Sequence, residues 1–129
     1  MRKKRILIVD DEIALTRLMR IALEQTGKYE VRTENDSTVA IAVALEFKPD
    51  LVVLDLIMPK QDGGDVAEAM RANPELKATP IVFLSASVRQ SEVDAHGGVL
   101  GGFPFLAKPT SAEAISAYIE KHLPGTPAR

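Results

Sequence analysis

The sequence contains no cysteine and no long hydrophobic segment. Without cysteine, disulfides and thiolate metal sites are excluded. The apolar run from Ile6 to Val9 is too short for the core of a signal peptide, and no segment approaches the ~20 apolar residues that span a bilayer. We therefore expect a cytoplasmic protein with no membrane partner.

The chain also lacks a strong excess of charge of either sign. Its formal net charge is −2, which gives no general electrostatic reason to bind nucleic acid, and we predict no direct nucleic-acid binding. The basic cluster from Arg2 to Arg5 is interpreted as a solvated flank. A length of 129 residues with 46% hydrophobic content suits a single core. We predict one domain over residues 1–123 and a tail or linker stub over residues 124–129.

Short apolar runs alternate with amphipathic segments along the chain. The runs predict strands, which are Arg5–Asp10, Tyr29–Glu34, Asp50–Asp55, Pro80–Ser85 and Phe103–Ala107. The segments between and after the strands predict five helices. Three of them are indicated by apolar residues at helical spacing, which are Leu15, Leu18, Met19, Ala22 and Leu23 in the first, Val39, Val43 and Phe47 in the second, and Ile115, Tyr118, Ile119 and Leu123 in the last. The other two are predicted from Gly63 to Ala72 and, more weakly, from Val88 to His96. This order predicts a doubly wound α/β fold with a five-stranded parallel sheet covered on both faces.

Polar residues stand where four of these strands end. Asp10 and Asp11 follow the first strand, Asp55 ends the third, Ser85 ends the fourth and Lys108 follows the fifth. Each has an ordinary explanation, since aspartate often caps helices and serine is common in turns. Asp55 fits this explanation least well, because it directly follows four apolar residues. In open parallel sheets, ligands bind outside the carboxyl ends of the strands, so this edge is the predicted site.

The chemistry of this set is coherent. Neighbouring carboxylates repel one another, and Mg²⁺ (or Mn²⁺) prefers such oxygen ligands and often joins carboxylates to a phosphate. A carboxylate can itself attack phosphorus and form an aspartyl phosphate. A lysine ammonium would neutralise charge on the transferring group. The sequence thus offers a nucleophile, a metal site and a cation.

These residues stand in motifs that resemble the response-regulator receiver domain of two-component signalling. The motifs are "ILIVDDE", "PDLVVLDLIMP" with "DGG", "PIVFLSA" and "FLAKP", in the family's order, between Lys4 and Leu123. The resemblance implies the flavodoxin-like strand order 2-1-3-4-5. It also implies phosphorelay signalling, in which a histidine kinase or histidine phosphotransfer protein phosphorylates Asp55. The protein would catalyse only its own modification and would not be an enzyme in the usual sense.

The resemblance further implies a role for each site residue. Asp10, Asp11, Asp55 and the backbone carbonyl of Ile57 would hold Mg²⁺. Lys108 and Ser85 would contact the phosphoryl group. Ser85 and Phe105 would act as the switch that alters the face of the fourth helix, fifth strand and fifth helix, which controls a downstream partner or an output domain. Ile57 and Ser87 would tune phosphate loss, which we expect to be slow because Ile57 has no polar side chain to orient water.

Three other functions fit the sequence less well. A haloacid-dehalogenase-type phosphatase would need a second aspartate two residues after Asp55, where the chain has Ile57. A flavodoxin-like electron carrier would need a phosphate loop rich in glycine and hydroxyl residues after the first strand, where the chain has Asp10, Asp11 and Glu12. A degenerate receiver that acts only as a protein-interaction module stays open as the alternative.

Overall fold

The computed structural model describes residues 3–56, 58, 62–85, 99–100, 103–107 and 112–122. The strands are β1 (Lys4–Val9), β2 (Tyr29–Glu34), β3 (Leu51–Asp55), β4 (Ile81–Ser85), β5 (Val99–Leu100) and β6 (Phe103–Ala107). The helices are α1 (Ile13–Gln25), α2 (Ala40–Phe47), α3 (Gly63–Ala72) and the C-terminal helix α4 (Ala112–His122), with a 3₁₀ turn at Ser37–Val39.

The strands form one sheet in the order β2-β1-β3-β4-β6-β5. Each pairing from β2 to β6 is parallel, as the alternation of strands and helices predicted. The prediction of only five strands differs from the structure, because β5 pairs antiparallel with β6. Gly101 and Gly102 separate these two segments in the sequence, and a Gly-Gly pair between apolar segments is typical of a hairpin. The helix predicted from Val88 to His96 lies outside the described residues.

The central strands are buried on both faces because helices cover each side of the sheet. Successive side chains of a strand point to opposite faces. One core layer joins Leu7, Val9, Val52 and Leu54 to α2 and α3. The other joins Ile6, Ile8, Leu51 and Val53 to α1 and α4. This two-sided burial explains why the strands read as continuous apolar runs.

Two details of the helices depart from the predicted apolar stripes. The predicted apolar stripe of α1 includes Leu18, but this side chain is 66% exposed, whereas Met19 and Leu23 are buried in the core. Val39 is also exposed, and it belongs to the 3₁₀ turn that precedes α2 rather than to the helix itself. Gly27 has a φ of 77° just after α1, a left-handed conformation that glycine adopts readily where helices end. Within the described ranges, no helix is long and apolar enough to cross a bilayer.

Candidate functional site

The register of the sheet brings the first predicted site residues together. Val9 of β1 is paired with Leu54 of β3, so Asp10 and Asp55 stand side by side at the same edge. Alternate residues of a strand point to the same face of the sheet. Asp10 therefore shares its face with Ile6 and Ile8, and Asp55 shares its face with Leu51 and Val53. These four apolar side chains pack against α1 and α4. Both carboxylates are therefore directed to the α1 side of the sheet.

Three carboxylates meet at this edge. Asp10, Asp11 and Asp55 each offer an oxygen, and these oxygens lie within 4.8 Å of one another. Asp10 is 0% exposed and Asp55 is 4% exposed, whereas Asp11 is exposed. Asp10, Asp11 and Asp55 thus form a partly enclosed acidic cluster, with two carboxylates buried and one open to solvent.

The turn that carries Asp10 and Asp11 is held by hydrogen bonds to its backbone and side chain. The Asp10 N–H donates to the Glu34 carbonyl over 3.1 Å, which extends the β1–β2 ladder by one residue. The Glu12 N–H donates to Oδ1 of Asp10 over 2.9 Å. This second bond closes a short Asx turn at the start of α1. The buried Asp10 carboxylate is thus oriented by the chain that follows it.

The end of β3 is fixed by the first residue of α3. The Gly63 N–H donates to the Leu56 carbonyl over 2.7 Å, and Gly63 is buried. A Cβ at this position would lie 2.3 Å from the Asp55 carbonyl oxygen, closer than any real Cβ contact. Only glycine lets α3 approach the backbone of Asp55 so closely. The sequence pattern showed that Gly63 begins a helix but did not show this contact.

A second contact at the acidic cluster also escaped the sequence interpretation. The Asn35 side-chain amide donates to the Asp10 carbonyl over 2.7 Å and to Oγ1 of Thr16 over 3.0 Å. Asn35 directly follows β2, so it stands at the same sheet edge as Asp10. Its position one residue past a strand was the available signal.

The donor set of the acidic cluster suits a hard divalent cation. All three groups are carboxylates, the oxygen ligands that Mg²⁺ prefers, and their oxygens are close enough to share one ion. A cation there would offset their mutual repulsion. Asp10, Asp11 and Asp55 are therefore the residues that would hold a metal.

The other predicted site residues are described only in part or not at all. Ser85 ends β4 and is paired with Ala107 of β6, and Phe105 of β6 is paired with Phe83 of β4. The backbones of Ser85 and Phe105 therefore lie on neighbouring strands of the sheet. The Ser85 hydroxyl and the Phe105 ring lie outside the described part of the structure. Ile57, Ser87 and Lys108 also lie outside the described residues.

The chain belongs to the response regulator receiver domain family, whose model matches residues 6–120. Receiver domains work in two-component phosphorelay signalling and bind Mg²⁺ at an acidic pocket, which agrees with the predicted class and with the acidic cluster. The chain is 36% identical over 118 residues to the Bacillus subtilis alkaline phosphatase synthesis transcriptional regulatory protein PhoP, with 91% of this chain and 47% of PhoP covered.

Two further similarities concern a second regulator and a solved structure. The DNA-binding dual master transcriptional regulator RpaA of Synechocystis is 35% identical over 115 residues, which cover 89% of this chain and 47% of RpaA. The structure of the Vibrio cholerae chemotaxis protein CheY4 superposes with a TM-score of 0.78 at 28% identity, covering 93% of this chain and 98% of CheY4. The fold is thus CheY-like, and the chain spans about half the length of the curated relatives it matches.

The prediction of no direct nucleic-acid binding is wrong. Curated relatives of the chain are transcriptional regulators, and RpaA is described as DNA-binding. The prediction was based on a net charge of −2, which describes a chain about half as long as those regulators. A charge balance over this length carries no information about the rest of such a protein.

Proposed function

We propose that the protein accepts a phosphoryl group on Asp55 from a phosphohistidine donor and that Mg²⁺ assists the transfer. The donor is a histidine kinase or a histidine phosphotransfer protein. The observation that supports this proposal most directly is the acidic cluster, in which Asp55 ends a central strand within 4.8 Å of two further carboxylates. Membership of the receiver family supports the same reaction.

In the proposed reaction, a carboxylate oxygen of Asp55 attacks phosphorus and forms a phosphorus–oxygen bond. The phosphorus–nitrogen bond of the donor breaks, and its electron pair returns to the imidazole nitrogen. When bound, Mg²⁺ would supply positive charge for the phosphoryl oxygens. Asp10 and Asp11 would hold the metal, and the hydrogen bond from the Glu12 N–H would keep the Asp10 carboxylate oriented.

The remaining site residues have the roles that the family resemblance implies. Ile57 contributes its backbone carbonyl to the metal site. Lys108 contacts the phosphoryl oxygens, and Ser85 binds the phosphoryl group once it has arrived. Ser85 and Phe105 then change arrangement together, which shifts the population toward a second conformation of the surface that binds partners. Ile57 and Ser87 set the rate at which phosphate is lost.

The receiver unit spans residues 1–123 in this proposal, and residues 124–129 form a tail or linker stub. Phosphorylation controls either an output segment of a longer protein or a separate protein partner. The transcriptional regulators among its relatives favour a DNA-binding output segment.

The test is phosphorylation by acetyl phosphate with Mg²⁺, followed by intact mass. We expect one phosphoryl group on the wild-type protein, none on Asp55→Asn and none when a chelator removes the metal. Asp65→Asn is the matched control, because Asp65 is an exposed aspartate on α3. An unmodified wild type would support the degenerate receiver instead, and equal modification of Asp55→Asn would exclude Asp55 as the acceptor.

A further inference from the structure

We propose that Asn35 is a positioning residue for the acidic cluster, and that it acts by holding the Asp10–Asp11 peptide in the orientation that directs the Asp11 carboxylate inward. This inference rests on the proposed metal site. Asn35 touches neither the metal nor the phosphoryl group in the proposal. It acts through the backbone carbonyl of Asp10.

The side-chain amide of Asn35 uses both of its N–H donors. Nδ2 donates to the Asp10 carbonyl over 2.7 Å and to Oγ1 of Thr16 over 3.0 Å. Thr16 is buried, and its hydroxyl proton is committed to the Ile13 carbonyl over 3.0 Å, so Oγ1 must accept from Asn35. A flipped amide would set its own carbonyl against the Asp10 carbonyl. The Asn35 amide therefore has a single favourable orientation.

Three hydrogen bonds hold the chain at Asp10, and the one from Asn35 is made to the Asp10–Asp11 peptide itself. The Asp10 N–H is bound to Glu34, the Asp10 carboxylate is bound by the Glu12 N–H, and Asn35 binds the Asp10 carbonyl. Since a peptide bond is planar, the direction of the Asp10 carbonyl also sets the direction of the Asp11 N–H and Cα. Asn35 thus controls how Asp11 leaves the strand.

Asp11 depends on its backbone for the placement of its carboxylate. Asp10 and Asp55 are enclosed by packed strands, whereas the Asp11 side chain is exposed. Core packing therefore does little to place this carboxylate, although one of its oxygens lies within 4.8 Å of those of Asp10 and Asp55. A looser Asp10–Asp11 peptide would spread the positions of that oxygen. Metal affinity should fall before the fold is affected.

The experiment measures Mn²⁺ affinity by the loss of free-ion electron paramagnetic resonance signal, in unphosphorylated protein. We expect Asn35→Ala to weaken binding about tenfold, the lower end of the effect of residues that orient metal ligands. Asn35→Asp should weaken it as well, although it adds a negative charge, because a carboxylate cannot donate to the Asp10 carbonyl. Tighter binding by Asn35→Asp would mean that charge outweighs orientation and would overturn the proposal.

A matched control separates positioning from general stability. The Asn73 side chain also binds the backbone, because its Oδ1 accepts from the Glu75 N–H, but Asn73 lies after α3 and away from the acidic cluster. Asn73→Ala should lower the free energy of unfolding and leave Mn²⁺ affinity unchanged. Thr16→Val, which removes the hydroxyl that orients Asn35, should weaken Mn²⁺ binding, and Thr16→Ser should restore it.

The possible results separate the positioning role from the metal site itself. If wild type binds Mn²⁺ and both Asn35→Ala and Thr16→Val bind it equally well, the positioning role is wrong and the proposed metal site stands. If wild type itself binds no Mn²⁺ or Mg²⁺, the metal site of the proposed function fails, and the inference fails with it. If Asn35→Ala does not fold, the Thr16→Val and Thr16→Ser pair tests the positioning role in its place.

Discussion

The two edges of the sheet use charge in opposite ways. At the edge where the parallel strands begin, charges of opposite sign are paired: Arg5 lies 3.5 Å from Glu30, and Lys28 contacts Glu120 of the C-terminal helix. At the edge where they end, the acidic cluster gathers three charges of one sign. The first arrangement pairs opposite charges within the chain, and the second offers three carboxylate oxygens to a cation.

Arg5 connects several elements at the first edge. Its guanidinium donates to the Phe47 carbonyl over 2.9 Å and lies 5.6 Å from the centroid of the Phe47 ring. Phe47 is the last residue of α2, where the helix dipole favours a cation. The backbone N–H of Arg5 donates to the Asp50 carboxylate over 2.8 Å. One residue thus joins β1, the end of α2 and the segment before β3.

The paired charges and the acidic cluster therefore lie at opposite ends of the same strands. The apolar strands between the edges are common to both. Neutralising a carboxylate at one edge should change the free energy of unfolding in the opposite direction from neutralising one at the other. The backbone contact beneath the acidic cluster is tested first, because it should give the largest change in stability.

The largest effect is expected from Gly63→Ala. The new Cβ would meet the Asp55 carbonyl oxygen at 2.3 Å, and backbone atoms cannot rotate away as a side chain can. Overpacking of this kind costs about 3 kcal/mol or more, which exceeds the ~1 kcal/mol that alanine gains over glycine within a helix. Urea unfolding followed by circular dichroism measures the loss.

Gly64→Ala is the matched control for this substitution. Gly64 is exposed, and its nearest neighbour would be a carboxylate oxygen of the Asp62 side chain at 3.3 Å, not a backbone atom at 2.3 Å as at Gly63. We expect a change in the free energy of unfolding within about 1 kcal/mol. Equal destabilisation by both alanines would show that the close approach to Asp55 is not what requires glycine at position 63.

An intermediate effect is expected from Asp11→Asn. In metal-free protein, it removes one of three like charges, and the free energy of unfolding should rise by up to about 1 kcal/mol, a modest amount because Asp11 is exposed. With Mg²⁺ the order should reverse, since binding to the folded state stabilises wild type by mass action. Urea unfolding with and without Mg²⁺ measures both. Glu68→Gln, an exposed neutralisation on α3, should show neither change.

Lower stability of Asp11→Asn in the absence of metal would contradict the repulsion on which the comparison depends. Stabilisation of Asp11→Asn and wild type by Mg²⁺ to the same extent would show instead that Asp11 is not a ligand. These two outcomes can be told apart, because one concerns the metal-free protein and the other the response to metal.

Sequence alone predicted the sheet better than the helices. β2 has the predicted bounds Tyr29–Glu34. Leu18 was misplaced because the apolar arc of α1 is wider than the face that the sheet can cover. The spacing of residues along a helix shows which side of the helix is apolar, but it does not show how much of that side the packed elements cover.

The acidic cluster could be predicted from the topology of the sheet, but the contacts that hold it in place could not. Parallel strands end at a common edge, so residues at those ends must be neighbours whatever the details of packing. The Asn35 amide reaches Asp10 and Thr16 only because β2 is paired with β1 in one particular register, Val9 with Glu34. Gly63 likewise depends on where α3 approaches β3. Such contacts require the tertiary structure.

The smallest effect is expected at the other edge, from Glu120→Gln. The hydrogen bond from Lys28 to Glu120 raises the pKa of Lys28 above its ordinary 10.5. We expect the substitution to return this pKa toward 10.5, because the charge that stabilises the ammonium is gone. Titration of the lysine side-chain carbon resonances by NMR measures the change, and Glu113→Gln on the same helix is the control.

The pH dependence of stability gives the sign of this pair's contribution. A group whose pKa is raised in the folded state stabilises the fold fully below its unfolded pKa and loses that contribution as pH rises through the folded value. Wild type should therefore be slightly more stable than Glu120→Gln from neutral pH to about 10.5, and the difference should vanish above the raised pKa. Neutralising a carboxylate lowers stability here, whereas at the acidic cluster it should raise it. A gain in stability for Glu120→Gln at neutral pH would mean that the two edges do not differ in the way their charges are used.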